Sequence, residues 1–139
     1  MDIDYLVKMK VVLEPVQQPW VKITAGKQTI TQQLINTTEF DFEFRAVDQG
    51  ILTVEHYNKS EHDPTTAVII QQIEFFGISD PRFVWAGTYY PRYPDHYKDQ
   101  QHIRPGHSYL GWNGIYQLNF QVPVFTWIHK VQDLGWGYQ

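Results

Sequence analysis

The run TEFDFEFRAVDQGILTVEHY at residues 38–57 decides how this chain is read. Phe40, Phe42, Phe44 and Ala46 fall on one side of an extended backbone, while Glu39, Asp41, Glu43 and Arg45 fall on the other. Side chains alternate across a strand with a period of two, so this segment reads as a strand with one face in a core and one in water. Leu52, Val54 and His56 then share a face against Ile51, Thr53, Glu55 and Tyr57, which gives a second strand of the same kind. Asp48-Gln49-Gly50 lies between them with turn chemistry, and the spacing predicts that the two strands pair. His56 sits among apolar neighbours, which predicts a hydrogen-bonded, partly buried imidazole rather than a general base.

The same period extends in both directions. Tyr5, Val7, Met9, Val11 and Leu13 alternate up to Pro15, and two shorter runs at residues 20–24 and 28–35 are divided by Ala25-Gly26-Lys27. The segment AVIIQQIEFFGI at 67–78 is rich in β-branched residues and suits a central strand ending near Gly77. Tyr116, Leu118, Phe120 and Val122 alternate again before Pro123, and FTWIHKV at 125–131 is read as strand-like. Helix is expected to be scarce, under about a tenth of the chain, because no capped segment with helical spacing stands out. Together these signals predict an all-β chain: a single β-sandwich or jelly roll of about eight or nine antiparallel strands, spanning residues 1–139 as one domain.

Composition narrows the function. The 139 residues carry a formal net charge of −4 with Lys and Arg scattered, so nucleic acid and anionic membrane are not expected partners. There is no Cys, which removes disulfides, thiolate metal sites and cysteine nucleophiles. No apolar run approaches a membrane span, and the charged start MDIDYLVKMK does not read as a signal peptide, so a soluble protein is expected. Catalytic signatures are missing: there is no G-x-S-x-G, no phosphate-binding glycine loop and no H-E-x-x-H, and nothing selects one carboxylate pair over another, so the chain is read as non-enzymatic with no cofactor.

The stretch FVWAGTYYPRYPDHYKDQQHIRPGHSYLGW at residues 83–112 has no period and is crowded with rings, so it is expected to be a long binding loop rather than a disordered one. Trp85, Tyr89, Tyr90, Tyr93, Tyr97 and Trp112, held by Pro91 and Pro94, are suited to stacking on the C–H face of a sugar. The same rings, with Arg82, Arg92 and Arg104, are also the residue types that anchor protein interfaces, or they cap the sandwich. The interface reading is preferred. It extends to a C-terminal docking tail at 132–139, where Trp136 and Tyr138 follow flexing glycines. His96, His102 and His107 with Asp95 and Asp99 lack metal-site spacing and read as solvated, and residues 58–63, with Asn58, Glu61 and Asp63, read as a turn, so no metal is expected.

LTVEHYNKS at 52–60, IEFFGISDPRFVW at 73–85, GTYYPRYP at 87–94 and LGWNGIYQLNFQVPVFTWIHKVQDLGWGY at 110–138 resemble small virion-associated proteins of tailed bacteriophages with jelly rolls of the carbohydrate-binding-module type. The resemblance covers residues 50–139 and rests most on L-x-V-x-H-Y-N-K and on the LGWNG, WIHKV, LGW series. It implies a structural component of a phage virion, as head decoration, collar or tail accessory, or fibre-docking module, seated on other virion proteins or on copies of itself. The alternative it implies is a carbohydrate-binding module that holds a host-surface glycan. In calcium-dependent modules of that type the metal sits on loops rich in Asp and Asn, of which the matching region offers Asn58, Glu61 and Asp63 alone.

Overall fold

In the computed structural model, which describes residues 3–94 and 101–134, eleven strand segments lie in two antiparallel sheets. In chain order these are β1 (Tyr5–Val16), β2 (Trp20–Ala25), β3 (Gln28–Gln33), β4 (Thr38–Ala46), β5 (Gln49–Tyr57), β6 (Ala67–Phe75), β7 (Ile78–Ser79), β8 (Thr88–Pro91), β9 (Arg104–Pro105), β10 (Tyr109–Leu110) and β11 (Gly114–Gln121). A short helix, α1 (Pro81–Trp85), joins β7 to β8, and a second, α2 (Val124–Leu134), follows β11. The first sheet runs β10-β6-β1-β4, with β7 also paired to β6, and the second runs β3-β2-β5-β11-β8-β9. The predicted β-sandwich is the fold observed.

The decisive run does form β4 and β5, with Phe40, Phe42, Leu52 and Val54 buried, but the two strands do not pair with each other. β4 pairs with β1, where Met9 lies opposite Phe42, and β5 lies between β2 and β11, where Val54 faces Ile23 and Tyr116. Val47 and Asp48 carry the chain from one sheet to the other. The physical reason is that each strand has one apolar face: placed in facing sheets, the two supply both sides of one core, as a sandwich requires. That core joins Val7, Val11 and Leu13 of β1 and Ile73 and Phe75 of β6 to Val21, Ile23, Leu118 and Phe120 of the second sheet. At the β2–β3 turn, Gly26 takes φ +60 and a Cβ there would come within 2.6 Å of the Phe44 ring, so both backbone and space demand glycine.

Two other expectations fail. The FTWIHKV segment is helical, not a strand: Val124, Trp127, Ile128 and Val131 follow the i, i+3, i+4, i+7 spacing of one helix face, and the first three are buried. The Trp127 ring packs 5.5 Å from Phe75, 5.5 Å from Phe83 and 6.0 Å from Phe120, closing one end of the core. The stretch at 83–112 is not structureless either, since it contains most of α1 together with β8, β9 and β10. Asp80 caps α1 by accepting from the Arg82 N–H at 2.9 Å, and Pro81 opens the helix. Gly87 after it leaves room for the Tyr116 ring, whose hydroxyl donates to the Val84 carbonyl at 2.6 Å.

Candidate functional site

β8 and β9 end the second sheet on the same side of the sandwich where β10 ends the first, and this open edge holds a cleft. Tyr89 on β8 points inward and is 2% exposed. Its hydroxyl donates to the Trp112 carbonyl at 2.5 Å and accepts the Trp112 N–H at 3.0 Å, so one phenol pins the backbone of the β10–β11 connection at both of its polar groups. Burial pushes the Tyr89 hydroxyl well above its ordinary pKa, which keeps it a neutral donor. The His107 ring lies nearly parallel on Tyr89 at 5.7 Å, and burial followed by the charge of Arg104 lowers the pKa of this imidazole.

The far wall is built by the β5–β6 loop. The Lys59 ammonium donates to the Thr66 carbonyl at 2.8 Å and to the Gly111 carbonyl at 2.6 Å, and it sits 4.3 Å from the centre of the Trp112 ring. Burial lowers its pKa. The Asn113 side chain exchanges two hydrogen bonds of 2.9 Å with the Lys59 backbone, tying the two loops together. Asp63 accepts from the Thr65 N–H at 3.0 Å, the Thr66 N–H at 3.1 Å and the Thr66 hydroxyl, and these bonds, the Thr66 hydroxyl first, hold its carboxyl far below the usual range. The loop is thus a closed turn behind Trp112.

On the open side the Tyr93 ring meets Trp112 at 6.5 Å and 69°. His102 approaches Tyr93 edge-on at 5.4 Å, and the Arg104 guanidinium lies 5.8 Å from the Tyr93 centroid. Tyr93, Trp112 and Arg104, with His107, Tyr109 and Pro64, bound a cleft of about 420 Å³. Ring faces set at an angle, with an Arg, an imidazole and backbone groups between them, are suited to holding a small ligand that has both C–H faces and hydroxyls.

The residues named from sequence separate into three sets. Tyr93 and Trp112 line the cleft, both half-buried, and Tyr89 lines it from below as a support rather than as a free ring. Trp85 and Tyr90 are exposed, but Trp85 stands on α1 outside the lining and Tyr90 faces the outer surface of the second sheet; Arg92 is also exposed and pairs with Glu55 at 3.1 Å. Tyr97, Trp136 and Tyr138 lie outside the described residues, as do Asp95, His96 and Asp99. Of the proposed tail, 132–134 belongs to α2. Arg82 is an internal tie, donating to the Gln132 carbonyl at 2.7 Å. His107 is half-buried rather than solvated. Sequence reading did not single out Lys59 or Tyr109; Lys59 stands in the L-x-V-x-H-Y-N-K stretch, which was a signal for it.

A larger groove of about 550 Å³ crosses the outer face of the first sheet, and both of its lysines are paired, Lys8 with Glu43 at 3.6 Å and Lys10 with Glu74 at 3.9 Å. It is a solvated face. A smaller polar pocket of about 210 Å³ beside Trp20 and Asn58 reaches down to His56, which is 0% exposed. The His56 Nδ1 lies 2.9 Å from the Leu110 carbonyl and therefore carries the proton, while Nε2 has no partner.

Two solved structures resemble this fold. One, vCBM60 in complex with galactobiose, superposes with a TM-score of 0.54 at 18% identity over 81% of this chain and 98% of that one. The other is a selenomethionine form of vCBM60, described with two families of calcium-dependent carbohydrate binding modules linked by circular permutation; it gives a TM-score of 0.52 at 16% identity over 81% of this chain and 89% of that one. At these identities the likeness shows the fold. No protein-family model matches the chain, and no curated protein matches it significantly. Calcium takes six to eight oxygen ligands. Among the described residues no group of three or more His, Asp or Glu side chains is placed to share a metal, and the Asp63 carboxylate is occupied by Thr65 and Thr66, so these residues do not fit such a site.

Proposed function

We propose that this chain is a non-catalytic glycan-binding module and that the cleft between Tyr93, Trp112 and Tyr109 takes a sugar. The observation that carries the reading is the Tyr93–Trp112 pair, two half-buried rings meeting at 69° over a cleft of about 420 Å³ with polar groups between them. Such walls stack on the C–H face of a sugar ring while Arg104, His107 and backbone groups fix its hydroxyls. The galactobiose held by a structure of the same fold supports the choice of ligand class. A binding role rather than glycoside hydrolysis is supported by the lining, which carries no carboxylate among the described residues, whereas hydrolysis generally uses two.

Trp112→Ala and Tyr93→Ala should each weaken glycan binding by about 1 to 3 kcal/mol, the loss expected of a central ring contact, with the thermal midpoint nearly kept in Tyr93→Ala. The test is a broad glycan array followed by calorimetric titration of the best ligand. An array without a hit, or a hit indifferent to both substitutions, rejects the reading. The glycan reading is preferred here to a virion-docking surface, because structures of the same fold are carbohydrate-binding modules and Tyr89 and Trp127 are internal; Trp136 and Tyr138 lie outside the described residues. Residence in a phage particle is retained as a proposal about location, tested by mass spectrometry of purified virions.

A further inference from the structure

Resting on the glycan reading, we infer that the sugar taken by the cleft carries an anionic group, a uronate carboxylate or a sulfate, which Arg104 receives. The chain as a whole is acidic, with 15 Asp and Glu against 11 Lys and Arg. The cleft has the opposite character. Its described lining carries the Arg104 guanidinium, with the Lys59 ammonium packed behind Trp112, and no Asp or Glu. Arg104 is half-buried, its Nε donates only to the Gln101 carbonyl at 3.3 Å, and it forms no ion pair among the described residues. The other two arginines nearest in sequence are already matched to carboxylates, Arg82 to Asp80 at 3.7 Å and Arg92 to Glu55 at 3.1 Å.

A half-buried guanidinium with no carboxylate partner among the described residues, held beside two stacking rings, is a receptor for a planar anion attached to a sugar. A neutral sugar would leave that charge partly desolvated and unmatched, so the site discriminates by charge as well as by shape. The net −4 of the chain repels a polyanion at long range, which means that acidic-glycan binding must come from this local arrangement and not from general attraction.

The experiment titrates the full chain, in calcium-containing buffer and again with chelator, with oligogalacturonate, with the methyl ester of the same oligomer, and with a sulfated and an unsulfated galactan. Binding to oligogalacturonate at least about tenfold tighter than to its ester, weakening as salt is raised, is the expected result. Arg104→Gln should remove that preference and Arg104→Lys should keep part of it, with thermal melts reporting that both fold. Binding to the sulfated galactan alone assigns the anion as sulfate and upholds the inference. Equal binding of the acid and its ester, or a preference unchanged in Arg104→Gln, overturns it; if Trp112→Ala still abolishes that binding, the glycan reading stands by itself. Absence of binding to all four together with an empty glycan array overturns both.

Discussion

His56 shows what one residue contributes when its two ring nitrogens have different surroundings. Burial, before any other cause, lowers its folded pKa below the ordinary 6.5. Below about pH 6.5 the unfolded chain therefore binds a proton that the folded chain refuses, and stability is lost as pH falls from there toward the folded pKa, while it stays flat above. Urea midpoints measured from pH 8 to 5 should show this decline, and His56→Gln, which still offers a donor to the Leu110 carbonyl, should lessen it to the share left by His107, whose pKa is also lowered; an unchanged slope would assign the loss to other groups. Lys59 is a second residue whose role is more than surface charge. Lys59→Met leaves the Thr66 and Gly111 carbonyls without their donor and should cost about 1 to 3 kcal/mol in equilibrium denaturation. The apolar character of the His56 site was legible from Leu52 and Val54 around it. The task of Lys59 was not, because its acceptors are backbone carbonyls, one of them 52 residues away at Gly111, and backbone carbonyls leave no mark in a sequence.

Elements were legible wherever one face meets the core and the other meets water, as in β1, β4, β5 and β11. Helix α2 carries its period in Val124, Trp127, Ile128 and Val131, but a Thr, an Ile and two Val among its first eight residues resemble a strand, and Pro123 just ahead suits the end of a strand as well as the start of a helix. Its tertiary contacts decide the matter: the Trp127 indole completes a nest with Phe75, Phe83 and Phe120 that no strand in that place would fill. Trp127→Ala should accordingly cost about 3 to 5 kcal/mol, read from chemical denaturation. A loss below about 1 kcal/mol would mean that the helix is an ornament on a sandwich complete without it. β8 and β10 were hidden for a different reason. They have four and two residues, too short for a period to show.

At the scale of the molecule, most pairing joins residues distant in sequence: Tyr5 lies opposite Ala46, and Leu52 opposite Leu118. Such topology must close long loops before its contacts form, so refolding in the millisecond-to-second range is expected in stopped-flow fluorescence, and a microsecond phase carrying the full amplitude would contradict it. The same distance explains why the sandwich could be read from alternation but the assignment of strands to sheets could not: alternation says which face is buried, not against which partner. The cleft was half-legible. Its rings stood out by composition, whereas the separation of Tyr89 from Tyr93 into support and wall depends on tertiary placement: Tyr89 is buried on β8, and Tyr93 stands two residues beyond the end of that strand, half-buried at the cleft. That separation has a thermodynamic consequence. Because one hydroxyl grips both polar groups of the Trp112 backbone, the wall is already in place before a ligand arrives, and binding should carry little entropic penalty for ordering it. Tyr89→Phe keeps the ring but releases the grip, so calorimetry should find a similar enthalpy of association with a less favourable entropy, and a weaker complex made of the same contacts.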